Sequence, residues 1–170
     1  MKWVLVIAGL LLALVIVAFI VGSFQPKTHV ASVTFRVAKP DSVVWAEVAN
    51  IEKSPEWVPD VRSVTRLPDN AGRPSYRENF GGFEATTAIA VSETNRKLVK
   101  EILPSGPFYG SWTWELSVEG DATRLTITEQ GTIENPLFRV LMIFNDNQKT
   151  MRQYGAALGR RLGVEVVEIP

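Results

Sequence analysis

The sequence predicts an α+β domain, in which a curved antiparallel sheet is covered by a long C-terminal helix and preceded by one transmembrane helix. Three features predict it: a charge-free run near the amino terminus, alternating segments separated by turn residues between 61 and 133, and helical spacing of apolar residues near the carboxyl end. We therefore expect residues 1–26 to form a membrane anchor and tether, and residues 27–170 to form one folded domain.

The composition excludes several kinds of site. The 170 residues include 18 basic and 18 acidic side chains, one histidine and no cysteine. No disulfide, thiol nucleophile or cysteine zinc site can form, and His29 alone cannot supply a multi-histidine metal site. The balanced charge gives no basic field for a phosphate backbone. We expect no metal, no cofactor and no nucleic-acid partner.

The first predicted element is a transmembrane helix. From Trp3 to Val21, 19 consecutive residues carry no charge, and at helical rise they span about 28 Å, close to a bilayer core of about 30 Å. A cleavable signal peptide is the alternative, but its apolar region is usually about 7 to 15 residues long. We expect a single-pass anchor that meets the membrane through residues 3–21. Flanking charges do not decide the orientation, whereas a positive charge ahead of the apolar run favours an extracytoplasmic domain.

The domain begins with a strand and a short helix. Residues 31–38 alternate as a strand does. Pro40 and Asp41 suit a first helical turn, because proline needs no partner for an N–H there and aspartate faces the positive helix end. This helix should end before Pro55, which leaves Trp57 in a connecting corner.

About six antiparallel strands follow, and two sharp turns set their register. A two-residue turn at 81–82 pairs Tyr76 with Thr87 and Glu78 with Ala85, all on the more apolar face of the hairpin.

The second hairpin turns at residues 120–121. It pairs Trp112 with Glu129 and Trp114 with Ile127, and the large apolar groups again share one face.

The last predicted element is a long helix. Asn135 suits an N-cap and Pro136 the first helical position, and apolar residues keep three- and four-residue spacing as far as Leu162. The Asn-Asp pair at 145–146 either bends or restarts it. The segment 137–144 is apolar on more than one face, so it lies against the bilayer, covers a cavity as a lid, or is buried on two sides.

This order of elements resembles the helix-grip fold, and the domain resembles the polyketide cyclase/dehydrase and lipid-transport group of the START-like (SRPBCC) superfamily. The resemblance covers about Val30 to Glu165 and also rests on the segments AKPDSVVWAEVANIEKSPEWVPDV, YRENFGGFEATTAIAV, WTWELSVEGDATRLTITEQG and NPLFRVLM. It implies a strongly bent sheet around the long helix, with a deep and mostly apolar cavity between them. Members bind lipids, sterols, quinones, polyketides or plant hormones there, and a minority catalyse cyclisation or dehydration.

Three polar side chains are candidates for chemistry in such a cavity. Glu129 lies on the apolar face, where an ionised carboxylate must be paired, protonated or hydrated. A raised pKa would make Glu129 a general acid or a hydrogen-bond donor, and otherwise it bonds a neighbouring group and does no chemistry. Glu78 has the same ambiguity, with Tyr76 beside it. If the sheet curls enough, the two carboxylates and the phenol form one polar spot.

Aromatic side chains are candidates for ligand contact. Trp57 and Tyr109 lie in or beside proline-containing corners, where a cavity mouth is expected. Trp112 and Trp114 alternate into the face that the helix covers, which suits the core. The candidate ligand-binding residues are Trp57, Tyr76, Glu78, Tyr109, Trp112 and Glu129, and the candidate catalytic residues are Glu129, Glu78 and Tyr76.

These features predict a membrane-anchored module that binds or transfers a hydrophobic small molecule, such as a lipid, isoprenoid, quinone or polyketide-like compound. One alternative is a cyclase/dehydrase-type enzyme that uses the cavity carboxylates. A second is an assembly module that packs on a membrane protein, although the sequence names no protein partner. The single histidine and the lack of cysteine weigh against an enzyme without excluding carboxylate chemistry.

Overall fold

The computed structural model describes residues 2–104, 108–142, 146 and 148–170. Helix α1 (Lys2–Ser23) comes first, and the strands follow as β1 (Thr28–Val37), β2 (Ser63–Asn70), β3 (Arg73–Asn79), β4 (Glu84–Glu93), β5 (Lys97–Ile102), β6 (Phe108–Glu119), β7 (Ala122–Ile133) and β8 (Val166–Ile169). Between β1 and β2 lie α2 (Asp41–Val48) and a 3-10 helix (Ile51–Glu56), and between β7 and β8 lie α3 (Pro136–Met142) and α4 (Lys149–Leu162).

The eight strands that the structure describes form one curved antiparallel sheet in the order β2-β3-β4-β5-β6-β7-β1-β8. Both predicted hairpin registers are confirmed, since Glu78 pairs with Ala85 and Trp112 pairs with Glu129. The first turn needs glycine because Gly81 has a φ of 80°, where a Cβ is strained.

The two ends of the domain differ from the sequence prediction. Strand β1 begins at Thr28 rather than at residue 31, because its first residues continue the ladder with β7. The four-residue β8 was not predicted. It pairs with the second half of β1 and adds an edge strand to the sheet. A strand this short carries too few alternations to stand out in the sequence.

The helices follow the predicted order, with two changes. Pro40 precedes α2 as its N-cap residue instead of lying in its first turn. The C-terminal helical stretch is described as α3 and α4, and Asp146 between them is not helical. Asn145, the other residue of the predicted bend or restart, lies outside the described residues. Asn135 caps α3 as predicted, since its side-chain oxygen accepts a hydrogen bond from the backbone N–H of Leu137 at 2.9 Å.

The core lies between α4 and one face of the sheet, which we call the inner face and which carries Val33, Phe35, Leu98, Trp114 and Ile127. These residues are buried and pack with Met151, Tyr154 and Leu158 of α4. The helix approaches the sheet closely at Gly155, where an added Cβ would lie 2.7 Å from the Phe35 ring. The two candidate carboxylates, Glu78 and Glu129, share the inner face with this core.

Helix α1 packs against α3, and the contact includes Gly22 near its C-terminal end. In the described part of the chain it is the one helix long and apolar enough to cross a membrane, and a signal sequence would pass the same test. A Cβ on Gly22 would lie 1.9 Å from the Pro136 carbonyl oxygen, so the two helices touch through backbone there. Arg139 is buried at this junction and donates a 2.8 Å hydrogen bond to the Gln25 carbonyl.

Candidate functional site

A cavity of about 410 Å³ lies between the inner face, α4 and the segment that follows α2. Large apolar side chains make up much of its wall. They come from the 3-10 helix and the residues after it, from the β3–β4 turn, from β6 and from α4. They include Trp57, Phe80, Phe83, Phe108, Trp112 and Trp114.

Aromatic rings around Tyr154 form one end of the cavity. The Tyr154 ring centroid lies 4.9 Å from that of Trp57, in an edge-on arrangement, and 5.9 Å from that of Trp114. Burial raises the pKa of the Tyr154 phenol, an effect that the adjacent Trp114 indole opposes only in part. The hydroxyl therefore stays protonated and serves as a neutral polar group in an aromatic wall.

A buried ion pair forms the first polar spot. The Lys100 ammonium lies 2.7 Å from Oε2 of Glu78, and the Thr87 hydroxyl donates a 2.6 Å hydrogen bond to Oε1 of the same carboxylate. Glu78 is fully buried, whereas the Lys100 side chain is 15% exposed and lines the cavity together with Thr87. Lys100 also lies 5.9 Å from the centroid of the Trp114 ring. The Lys100 ammonium thus faces the cavity with N–H donors beyond the one used by Glu78, and the buried Glu78 carboxylate balances its charge.

Glu129 and His29 form the second polar spot. Their side chains are 3.5 Å apart between Nε2 and Oε1, and each is about three-quarters buried. Burial raises the pKa of the Glu129 carboxyl, and His29 opposes that increase. The register leaves room for the imidazole because position 131 is glycine, where an added Cβ would lie 2.3 Å from Cε1 of His29. Glu129 lines the cavity and is more readily protonated than an ordinary glutamate.

Three buried hydrogen-bonding atoms of cavity-lining residues have no hydrogen-bond partner in the described part of the chain. They are Oγ of Ser54 and the indole Nε1 atoms of Trp57 and Trp114. Buried polar atoms are usually hydrogen-bonded, so an unpaired donor in a cavity wall suits an acceptor that comes with a ligand. The described residues contain no group of three or more histidine, aspartate or glutamate side chains that could hold a metal ion.

Three of the six predicted ligand-binding residues line the cavity: Trp57, Trp112 and Glu129. Glu78 lies behind Lys100. Tyr76 is on the inner face but outside the cavity lining, with the Arg66 guanidinium 5.2 Å from its ring centroid.

Tyr109 also lies outside the cavity lining. It alternates with Gly110 along β6, so it lies on the outer face, and its hydroxyl donates a 3.0 Å hydrogen bond to Glu134.

Neither Lys100 nor the inward position of His29 was predicted from the sequence. Lys100 lies two residues after Leu98 on β5, so the two side chains share the inner face, and that spacing was a usable signal. No sharp turn fixed the register of β5, however, and β4 contains an irregularity between Ile89 and Val91 that shifts its pairing with β5.

Comparison with known proteins identifies the family of this chain. A family model described as "Polyketide cyclase / dehydrase and lipid transport" matches residues 37–153, more than half of the chain. The chain belongs to this family. No functionally curated protein matches it in sequence.

Solved structures have a fold similar to that of this member of the polyketide cyclase/dehydrase and lipid transport family. The Zhui aromatase/cyclase from a Streptomyces species has a TM-score of 0.65 at 18% identity, over 78% of this chain and 93% of that one. A START superfamily protein from Mycobacterium smegmatis has a TM-score of 0.64 at 20% identity, over 79% and 97%. Truncated norcoclaurine synthase from Thalictrum flavum has a TM-score of 0.63 at 11% identity, over 81% and 96%. At these identities the likeness shows the shared helix-grip fold.

Proposed function

We propose that this chain is a membrane-anchored module that binds or transfers a hydrophobic small molecule in the cavity between the sheet and α4. The cavity is the observation that carries the proposal, because its 410 Å³ falls in the range of about 300–1,000 Å³ typical of small-molecule sites. A lipid, isoprenoid, quinone or polyketide-like compound suits the aromatic wall. A module that served only to assemble with a membrane protein would need no such space.

The packing of α1 supports a retained anchor rather than a cleaved signal peptide. The backbone of Gly22 rests on Pro136, and the buried Arg139 donates to the Gln25 carbonyl. Removal of the helix would expose the Pro136 backbone that Gly22 covers. An extracytoplasmic position of the domain remains a prediction from the order of charge and apolar residues.

The polar spots favour a neutral ligand that carries an oxygen acceptor. Lys100 and Glu78 together have no net charge, and Glu129 adds a carboxyl group whose pKa is raised by burial. An anionic ligand would bring an unbalanced negative charge into a cavity of low dielectric, which is costly. A carbonyl or hydroxyl oxygen would instead accept a hydrogen bond from Lys100 at no such cost. We therefore propose a ligand with an apolar body and a neutral oxygen group.

Native mass spectrometry of the full chain, purified from its host membranes in mild detergent, tests the proposal, together with organic extraction of whatever is bound. Val58→Trp puts a bulky side chain into the cavity wall, and Val118→Trp makes the same change at an exposed position on β6. We expect one apolar compound per chain in the wild type and in Val118→Trp, and its loss in Val58→Trp. An empty wild type, still empty after incubation with host lipid extract, would refute the proposal, as would undiminished compound in Val58→Trp.

A competition experiment tests the proposed preference of the cavity for a neutral ligand. Displacement of the bound compound by a long-chain alcohol is compared with displacement by the carboxylate of equal chain length, at a pH where the carboxylate is ionised. We expect the alcohol to bind more tightly. Tighter binding of the carboxylate would show that Lys100 acts as an anion site and would overturn the proposed ligand class.

A cyclase/dehydrase-type enzyme is the second candidate function, favoured by the raised pKa of Glu129 in the cavity wall. With Tyr76 and Glu78 outside the lining, Glu129 is the residue best placed as a general acid, and Lys100 as a donor to a substrate oxygen. Glu129→Gln keeps the shape of the side chain and removes the proton. Retained affinity with lost turnover of the extracted compound would favour the enzyme, whereas no turnover by the wild type would favour the binding module.

A further inference from the structure

The membrane anchor and one end of the cavity lie at the same end of the sheet. Strand β1 begins at Thr28, opposite Thr132 near the end of β7, and the next residue, Ile133, is paired with Phe108 at the start of β6. The N–H of Ile133 donates a 2.8 Å hydrogen bond to the Lys27 carbonyl in the tether. Phe108 lines the cavity. A continuous set of contacts therefore links the tether to the cavity wall.

The tether is too short to hold this end far from the bilayer. Four residues, 24–27, separate α1 from β1, and a fully extended chain of that length spans about 14 Å. The packing of Gly22 against Pro136 holds α3 beside the last turn of α1. If α1 crosses a membrane, the strand ends that carry Phe108 and Ile133 must face its surface.

Exposed apolar side chains are concentrated at this end. Phe80 stacks on Phe83 with centroids 4.9 Å apart, and Phe83 lies edge-on to Phe108 at 5.2 Å. All three line the cavity, yet Phe83 is 46% exposed. In the tether Phe24 is 85% exposed, and on α3 Phe138 is 46% exposed. Exposed phenylalanine rings are unfavourable in water and favourable at the boundary between the headgroups and the acyl chains of a bilayer.

We propose that the cavity opens toward the bilayer that holds α1, and that the β3–β4 turn, with Phe80 and Phe83, inserts into its interface. The occupant of this apolar surface is the lipid bilayer itself, because the surface continues from the end of α1 through the tether and α3. A hydrophobic ligand then passes between the bilayer and the cavity along the Phe80, Phe83 and Phe108 rings without crossing water. The inference rests on the proposed membrane anchor and ligand site and adds the direction in which that site opens.

Site-specific labelling of the full chain tests this orientation, and the absence of native cysteine makes single labels straightforward. Gly82→Cys places a label at the tip of the β3–β4 turn, where an added Cβ meets no atom within 4 Å. Asp121→Cys is the matched control, because that side chain is 99% exposed in the β6–β7 turn at the opposite end of the sheet. Each variant carries an environment-sensitive fluorophore and is reconstituted in phosphatidylcholine vesicles with or without a nitroxide-labelled lipid.

We expect the emission maximum of the label at residue 82 to shift to the blue in vesicles, and the nitroxide lipid to quench most of its emission. The label at residue 121 should show neither the shift nor the quenching. A label at residue 82 that behaves like the one at residue 121 would overturn the inference. Ligand retention in detergent is measured on the same labelled proteins. An aqueous label on a protein that keeps its ligand refutes the orientation alone, and a quenched label on a protein that never binds a compound refutes the ligand site alone.

Discussion

The ion pair between Lys100 and Glu78 gives the sharpest energetic prediction. Lys100→Met removes the ammonium and leaves a fully buried carboxylate with one described hydrogen-bond donor, the Thr87 hydroxyl. Loss of one partner from a buried pair costs about 3–5 kcal/mol. Glu78→Gln should cost less, about 1.5–3 kcal/mol for a hydrogen bond to a charged group. The remaining Lys100 is 15% exposed and faces the cavity, where water can reach it.

The double variant Glu78→Gln/Lys100→Met separates charge from packing. It removes both charges while the glutamine oxygen still accepts the hydrogen bond from Thr87. We expect it to be more stable than Lys100→Met alone, because no uncompensated charge stays buried. The direction of this stability difference follows from the full burial of Glu78. It does not depend on the size of the effect of either single substitution.

Urea denaturation of the full chain in nonionic detergent, followed by tryptophan fluorescence, measures these differences. With a slope of about 2 kcal/mol per molar urea, Lys100→Met should lower the midpoint by about 2 M. Trp114 is a suitable probe, since it is buried and lies 5.9 Å from the Lys100 ammonium. A double variant no more stable than Lys100→Met would refute the reasoning, because it would mean that Lys100 does not compensate the Glu78 charge.

Three further predictions follow from other parts of the molecule. Gly155→Val should destabilise the domain by about 1–3 kcal/mol through overpacking against Phe35, and an unchanged urea midpoint would contradict it. Burial raises the folded-state pKa of Glu129. The contribution of Glu129 to stability is therefore fully present below the ordinary glutamate pKa and is lost as the pH rises through the raised value. Glu129→Gln should flatten the dependence of stability on pH across that window. Gly22→Leu should separate α1 from Pro136 and speed proteolysis of the tether, whereas an unchanged cleavage rate would show that the two helices do not pack in solution.

The sequence allowed the inner face of both hairpins to be predicted residue by residue. Two-residue turns fix the register, and a fixed register decides which side chains share a face, so Glu78 and Glu129 were placed correctly beside the core. Whether such a residue reaches the cavity is a different question. Glu78 does not, because Lys100 covers it from a strand whose register no turn had fixed.

Other parts of the site depend on curvature and on long-range packing, which local spacing does not encode. Tyr109 was expected at a cavity mouth because prolines lie near it, but alternation along β6 places it on the outer face. His29 follows the predicted anchor closely in the sequence, yet the extension of β1 places its ring on the inner face against Gly131. Both differences arise from where strand β1 and strand β6 begin, and strand ends are the boundaries least determined by local sequence.

The energetics of the two polar spots agree better with the proposed role in ligand recognition than with a role in stability. An apolar pair of similar volume in place of Lys100 and Glu78 would be about as stable or more so, because desolvation of a buried ion pair offsets most of its attraction. An ionised Glu129 does not stabilise the fold either, because its raised pKa shows that its surroundings oppose ionisation. A domain selected only to pack would not need these groups on the wall of a 410 Å³ cavity. A domain that orients an apolar molecule by one neutral oxygen, as proposed here, does need them. In the proposed orientation, Phe80, Phe83 and Phe108 would place that site next to the bilayer, in which such molecules dissolve.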